Sequence, residues 1–511
     1  MSTAPLLEAA VSPAGPSGPP VISEGARVGR NTAFRAAAQA LSAVINLTAM
    51  VLLGNRLSAA GYGEYAYWYA LIPLFSSLCD LGAGVIVTRE MVRDRAQAAR
   101  VLGDGVLLRA SVATLLLLGG TVAGFALPPA EHVLLLLVTL AAVFDFSQDA
   151  AVWTFRARER LDLESVLLLV SQLAWLGGIV AGLALGGSLA ALLGSAVVAF
   201  MLRTLVGATM LARMGLWPRL TFDTARVRAL VAEGWPVGLS LLLVVVYGRV
   251  GVFALKALAT HVDVACFNVA YLLAQPFGFL ASALSMAAFP AFARRRGLES
   301  TGLAGPMRAA VKYQLMVSVP IAAGQFLLAG SLVPLLFHHG EGYAGAVAAL
   351  RVISLALPFV FLNLHARYLL AAIGRQRVYL AAVCLGLAVN VAGCVTTAHA
   401  FGALGAAWTF VAAETLVFVV CQASLAAEVP FPALLAQAWR PLAAALLMGV
   451  AVAGVSRAGL FVQVAVGAVV YVAGLVVTRA LSREEWAVLR GVLATFRPSR
   501  STRLTGRTGQ A

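Results

Sequence analysis

Fourteen stretches of this 511-residue chain are each apolar over the ~20 residues that a helix needs to cross a bilayer. Their centres run from Val44 to Val469. No other feature constrains the fold as tightly. A backbone in lipid must satisfy its own N–H and C=O groups, and spans of this length do so as helices. The prediction is an all-α polytopic membrane protein with about fourteen transmembrane helices.

The basic residues test that count. Loops after even-numbered spans carry clusters such as Arg89, Arg93, Arg95, Arg100 and Arg109, then Arg156, Arg158 and Arg160, then Arg213, Arg219, Arg226 and Arg228. The alternation continues through Arg294, Arg295, Arg296, Arg308 and Lys312, through Arg375 and Arg377, and through Arg440. With both ends of the chain included, thirty of the 37 Lys and Arg residues fall on one side. The odd-numbered loops hold only Arg56 and Arg457. The positive-inside rule therefore predicts an even span count with both termini cytoplasmic, in a bacterial inner membrane. The formal net charge of +15 has the same origin. Basic loops against an anionic leaflet account for it, so no nucleic-acid partner is expected.

Composition agrees. Charged residues make up 12% of the chain, about half the ~25% usual in globular proteins, and mean hydropathy is +0.90. The five cysteines lie in apolar segments without CxxC spacing, which reads as core packing and not as a disulfide framework or metal centre.

The chain divides as follows. Residues 1–30, rich in Pro, Gly, Ala and Ser, read as a disordered cytoplasmic leader. Spans one to six (31–213) and seven to twelve (214–427) form two lobes, spans thirteen and fourteen (428–481) an appendage. Residues 482–511 read as an interfacial helix with a basic cytoplasmic tail. The two lobes are copies. An offset of 203 residues places Asn31 on Gly234, Pro73 on Pro276 and Arg109 on Lys312, and an offset of 217 places Arg158 on Arg375 and Arg160 on Arg377. Six spans separate the copies, so they share one orientation about an axis along the membrane normal. Two such lobes facing each other enclose a central cavity suited to alternating access.

The first hairpin carries a recognisable pattern. Its opening helix starts at Asn31 and contains Gln39. A short turn ends in Gly61-Tyr62-Gly63-Glu64-Tyr65, and the second helix passes Pro73 and Asp80-Leu81-Gly82 to end at Thr88-Arg89-Glu90. This resembles the polysaccharide transporter branch, which includes O-antigen flippases, of the multidrug/oligosaccharidyl-lipid/polysaccharide exporter superfamily. The resemblance implies twelve to fourteen helices, a central cavity, and movement of lipid-linked glycans between leaflets for lipopolysaccharide or exopolysaccharide synthesis. It implies a lipid-linked oligosaccharide substrate and glycan polymerase or glycosyltransferase machinery as partners. The opening pattern of the peptidoglycan-precursor flippases is not seen here, nor one that singles out the drug antiporters.

Ionisable groups at membrane depth are costly and usually face a cavity or a partner. Five basic residues remain outside the loop count. Arg203 lies near a span end, where it can snorkel. The others are the candidate cavity residues for a pyrophosphate-linked substrate: Arg249, Arg351, Arg367 and Lys256, the last also able to snorkel. The alternative is that each arginine pairs with a carboxylate and ties helices together. The candidate coupling or counter-charge acids are Asp80, Asp145, Asp149 and Glu414. Asp145 and Asp149, spaced i, i+4, are expected to share a helix face, with Arg156 nearby as a structural partner. The aromatic run Tyr62, Tyr65, Tyr67, Trp68 and Tyr69 reads mostly as an interfacial belt. Gly178, Gly182 and Gly186 are spaced for close helix packing.

No nucleophile–base pair, metal quartet or phosphate-cradling loop is found, so no catalysis and no cofactor are expected, with H⁺ or Na⁺ as candidate coupling ions. Three functions compete: an undecaprenyl-pyrophosphate-oligosaccharide flippase, a cation-coupled drug exporter of the same fold, and a membrane glycan polymerase or ligase. The third is weakest, because no outer loop is long enough to carry its catalytic residues.

Overall fold

The computed structural model describes residues 24–80, 82–221, 223–293, 304–338, 340–427 and 430–480. The expectations for residues 1–23, for Arg294–Arg296 and for the interfacial helix and tail after 480 lie outside the described residues. Residues 24–30 correct the leader reading: the first helix already begins at Glu24.

Every regular element among the described residues is helical. The first lobe comprises α1 (Glu24–Arg56), α2 (Ala59–Asp80), α3 (Ala83–Arg93), α4 (Ala98–Gly124), α5 (Pro129–Ser147), α6 (Asp149–Ala157), α7 (Leu161–Ala184) and α8 (Leu189–Arg213). The second comprises α9 (Thr224–Tyr247), α10 (Val250–Leu258), α11 (His261–Ala274), a 3-10 turn at Gln275–Phe277, and α12 (Gly278–Ala293). It continues with α13 (Ala304–Leu336), α14 (Ala344–Ala372) and α15 (Gln376–Ser424). Two further helices, α16 (Phe431–Gly454) and α17 (Leu460–Val477), pack on α13 and on each other, appended to the second lobe.

Twelve helices or helix runs are long and apolar enough to cross a membrane. The bent pair α2–α3, turning by 48°, would make a thirteenth as one broken span, against the fourteen expected. Within the 49-residue α15, Gly402 (φ 51°, ψ −133°) separates two helices. That backbone is open to glycine only: a Cβ there would lie 2.1 Å from the Asp263 carboxylate, which accepts a hydrogen bond from the Ala403 N–H at 3.1 Å. The same Asp263 completes the capping box of α11 with Thr260.

The breaks follow the sequence. Pro73 lies inside α2, while its counterpart Pro276 falls in the 3-10 turn between α11 and α12. The fourth span breaks at Gln148 and the seventh at Gly248–Arg249. Gly178 lets α7 approach α8 until a Cβ would stand 2.6 Å from the Ser195 Cβ, whereas Gly186 lies beyond α7 in the turn, at φ 106°. Small-residue packing is therefore confined to the first part of that glycine run.

Candidate functional site between the two lobes

The lobes meet at both ends of the bundle. At the charge-poor face, which carries the turn after Arg56, α2 lies along α11. A Cβ on Gly63 would stand 1.8 Å from the His261 carbonyl oxygen, so the backbones are in direct contact. Asn268 donates to the Tyr62 hydroxyl at 3.0 Å. Tyr343 donates to the Gly54 carbonyl at 3.0 Å, and Asn55 donates to the Leu336 carbonyl at 2.6 Å while accepting from the His338 N–H at 2.6 Å. Tyr62, Tyr65, Phe337 and Tyr343 are fully buried in this seal. The interfacial-belt reading of the aromatic run is therefore corrected. Tyr65 and Tyr69 stack (5.6 Å between centroids) and Tyr69 stacks in turn on Trp175 (5.3 Å), so this is core, because inter-lobe contact removes these rings from the lipid interface.

At the basic face, α9 is held against the first lobe. Gly82 adopts φ 69°, and a Cβ there would stand 2.1 Å from the Gly234 carbonyl oxygen. Arg89 pairs with Glu233 at 2.6 Å. Arg226 pairs with the fully buried Asp104 at 3.2 Å and donates to Gln97 at 3.1 Å.

The acids of the first lobe are already neutralised. Arg109, a loop residue by the sequence reading, lies eleven residues into α4, about 16 Å along its axis, with its side chain 5% exposed. It forms ion pairs with both Asp80 and Asp149, donates to the Phe146 carbonyl at 3.1 Å, and stacks over the Trp153 ring at 4.3 Å. Gln148 donates to the other Asp149 oxygen at 2.7 Å. Asp145 pairs instead with Arg203 at 3.4 Å. Three corrections follow. Arg109 is a buried tie and not a topology signal. Arg203 has an ion-pair partner and does not simply snorkel. Asp145 and Asp149 do not act as one paired face, because the helix breaks between them at Gln148 and each meets a different arginine. Arg156, the expected partner of Asp149, pairs with Glu164 at 2.7 Å.

The second lobe is arranged differently. Arg249 sits at the break between α9 and α10, half-buried, within electrostatic range of the phenols of Tyr62, Tyr69 and Tyr271 and with no carboxylate partner among the described residues. Arg351 is exposed on α14, near Gly330 of α13. Arg367 is exposed on the same helix, beside Tyr379. Sixteen residues at ~100° each turn the two arginines to nearly opposite sides of α14, so they do not converge on one pocket. Lys256 lies 3.0 Å from the His261 ring nitrogen and over the Tyr67 ring at 5.2 Å, against the charge-poor seal. Glu414, 7% exposed, accepts from Asn363 at 2.7 Å. The four basic candidates are thus distributed along the second lobe, not clustered. Arg109, Tyr247 and Asn363, which shape the charge network, were not singled out as site residues from sequence. Only the depth of Arg109 within its helix signals its role.

A family model described as polysaccharide biosynthesis protein matches residues 28–295, more than half of the chain. No curated protein matches significantly. Among solved structures, the chain is similar to the lipid II flippase MurJ in an inward closed conformation (TM-score 0.72, 13% identity, covering 87% of this chain and 98% of that one). It is similar to an inward-facing multidrug resistance MATE family transporter (TM-score 0.58, 16% identity, 76% and 95% covered). It is also similar to the Vibrio cholerae MATE transporter VcmN in its bent form (TM-score 0.52, 17% identity, 79% and 98% covered). At these identities the likeness speaks for the fold. The family match establishes that this chain belongs to the polysaccharide biosynthesis protein family, and its all-helical bundle has the fold of MurJ and the MATE transporters.

Proposed function

We propose that this transporter flips an undecaprenyl-pyrophosphate-linked oligosaccharide from the cytoplasmic to the periplasmic leaflet of a bacterial inner membrane, for cell-surface polysaccharide synthesis. Both termini and the basic face are then cytoplasmic, and the Tyr62–Phe337–Tyr343 seal closes the periplasmic side. The observation that carries the reading is the sign of the uncompensated charge. The first-lobe acids that a cationic drug would need are taken up by Arg109 and Arg203, whereas Arg249 stands between the lobes without a carboxylate partner among the described residues. A guanidinium in that position offers charge-assisted hydrogen bonds to a pyrophosphate. Of the other basic candidates, Arg351 and Arg367 face different sides of α14, so at most one of them would meet the anion along the same path, with Lys256 at the far end. Lobe rocking would carry the head group across while the lipid tail stays in the bilayer. Glycan polymerase or glycosyltransferase machinery would act on either side of the step.

The competing reading, a cation-coupled multidrug exporter, is favoured by the MATE likeness of the fold. Deleting the gene separates the two. The flippase reading expects lipid-linked oligosaccharide to accumulate in the inner leaflet; unchanged glycan export with new drug sensitivity would sink it. Arg249→Ala is expected to reduce transport about ten-fold or more, one charge-assisted contact being worth ~1.5–3 kcal/mol, with protein level unchanged. Normal transport would remove Arg249 from the path.

A further inference from the structure

We propose that the notch between the lobes at the basic face binds the head group of a zwitterionic phospholipid. The ligand class is a phosphate diester with a primary ammonium, as in phosphatidylethanolamine, and its binding favours the closed basic face. Such a site does not depend on which cargo is carried.

Where α3 and the turn into α4 face α9, a cavity of about 400 Å³ lies between the lobes. That volume is in the range of small-molecule sites, ~300–1,000 Å³. Its floor is apolar, formed by Ile86 of α3, Val101 of α4 and Leu230 of α9, all buried. Charges of both signs line it in equal number: Arg89, Arg93 and Arg226 against Glu90, Asp94 and Glu233. Each sign keeps unused capacity. Arg226 is taken up by Asp104 and Gln97, and Arg89 lies between Glu233 at 2.6 Å and Glu90 at 3.1 Å. Arg93, by contrast, is 78% exposed and reaches an acid only at 3.8 Å, to Glu90. Glu233 meets Arg89 through Oε2, which leaves Oε1 without a protein partner among the described residues. Asp94 accepts the Ala96 and Gln97 N–H groups through Oδ1 alone, at 3.0 and 3.2 Å. One guanidinium fork is therefore open to a phosphate, and carboxylate oxygens beside it are open to a donor. A primary ammonium supplies three N–H donors, and a choline group supplies none. A glycerol head group brings the phosphate but no cation for the acids.

The surroundings point to a lipid and not to a soluble zwitterion. The cavity sits where α3 ends and where α4 and α9 begin, at the level of the basic loops. Val85 and Val92 stand exposed on the same face of α3 as Arg89, and Trp235 stands exposed two residues beyond Glu233 on α9. Apolar side chains thus flank the charged lining, including an indole of the kind that favours the head-group region, and acyl chains would run along them. The cavity is walled by both lobes. A ligand in it therefore binds the closed basic face more tightly than an opened one and shifts the population towards closure.

The test equilibrates the purified full chain with equal amounts of phosphatidylethanolamine, phosphatidylcholine and phosphatidylglycerol of identical acyl chains, and native mass spectrometry reads the lipid retained. Phosphatidylethanolamine should be retained about ten-fold over either of the others, the worth of one charge-assisted hydrogen bond. Asp94→Asn combined with Glu233→Gln should remove that preference and leave phosphatidylglycerol retention as it was. Arg93→Gln should lower retention of all three lipids. Equal retention by the wild type, a preference for phosphatidylglycerol, or a preference that survives the double variant would overturn the site. So would displacement by soluble phosphoethanolamine at the concentration of the lipid, which would leave the acyl chains no part in binding. If the double variant does not accumulate, Arg93→Gln, at an exposed side chain, decides: unchanged retention overturns the site. Closure is read by spin labels placed through Arg95→Cys in the first lobe and Arg377→Cys in the second, with Cys384, the exposed cysteine, replaced by Ser. The distance should shorten when phosphatidylethanolamine replaces phosphatidylcholine in vesicles of constant phosphatidylglycerol content. An unchanged distance would overturn the effect on the basic face.

Discussion

The two lobes treat charge at membrane depth in opposite ways. In the first lobe each intramembrane carboxylate named here has an arginine: Arg109 holds Asp80 and Asp149 across three spans, and Arg203 holds Asp145. In the second lobe, among the described residues, Arg249 has no carboxylate partner and the Glu414 carboxylate accepts from the Asn363 amide. Paired charges have a single favourable arrangement and tie helices together. Unpaired ones are costly to hold in a low-dielectric site, and they persist where a ligand or a proton completes them. The contrast is what the proposed function expects of a tied first lobe and a second lobe that meets the cargo.

Removing charges lobe by lobe can break that contrast. The largest effect is expected from Arg109→Ala, which leaves two facing carboxylates without a cation. Breaking a buried pair costs about 3–5 kcal/mol, so thermal melting in detergent should show a large loss of folded protein. A mild effect would mean that water, not Arg109, satisfies Asp80 and Asp149. Next comes Arg203→Ala, which strands the Asp145 carboxylate; a cost of about 1–3 kcal/mol is expected in the same melt. Smallest is Arg89→Ala at the basic face, where both partners of the Glu233 pair are 54% exposed. Exposed pairs are screened by water and contribute little, so melting should barely change. Should Arg249→Ala destabilise the protein as much as Arg109→Ala, the second lobe would be as tied together as the first and the contrast would fail.

How much of this was legible in the chain depends on the distance over which each feature acts. Pro73 and Pro276 are separated by the repeat offset of 203, and Pro276 falls where its helix gives way to a 3-10 turn through local backbone chemistry. Arg109 misled for a local reason as well. The most apolar part of its span begins after it, so hydropathy placed it in the loop, whereas the helix had started at Ala98. The aromatic run at Tyr62–Tyr69 has the composition of a membrane interface. Trp175 from α7 and the approach of α11 and Phe337 from the other lobe bury it.

The all-helical, membrane-spanning class of the protein and the alternation of its basic loops are legible in sequence alone. Each of these depends on the free energy of placing a short segment in lipid or water, which is a sum over neighbouring residues. Which arginine meets which acid was decided only by tertiary structure. Arg109 is 40 residues from Asp149, Asn363 is 51 from Glu414, and Arg89 is 144 from Glu233. A helix fixes the depth of a side chain along its axis, but rotation about that axis, set by packing against the neighbouring helices, determines the partner it reaches.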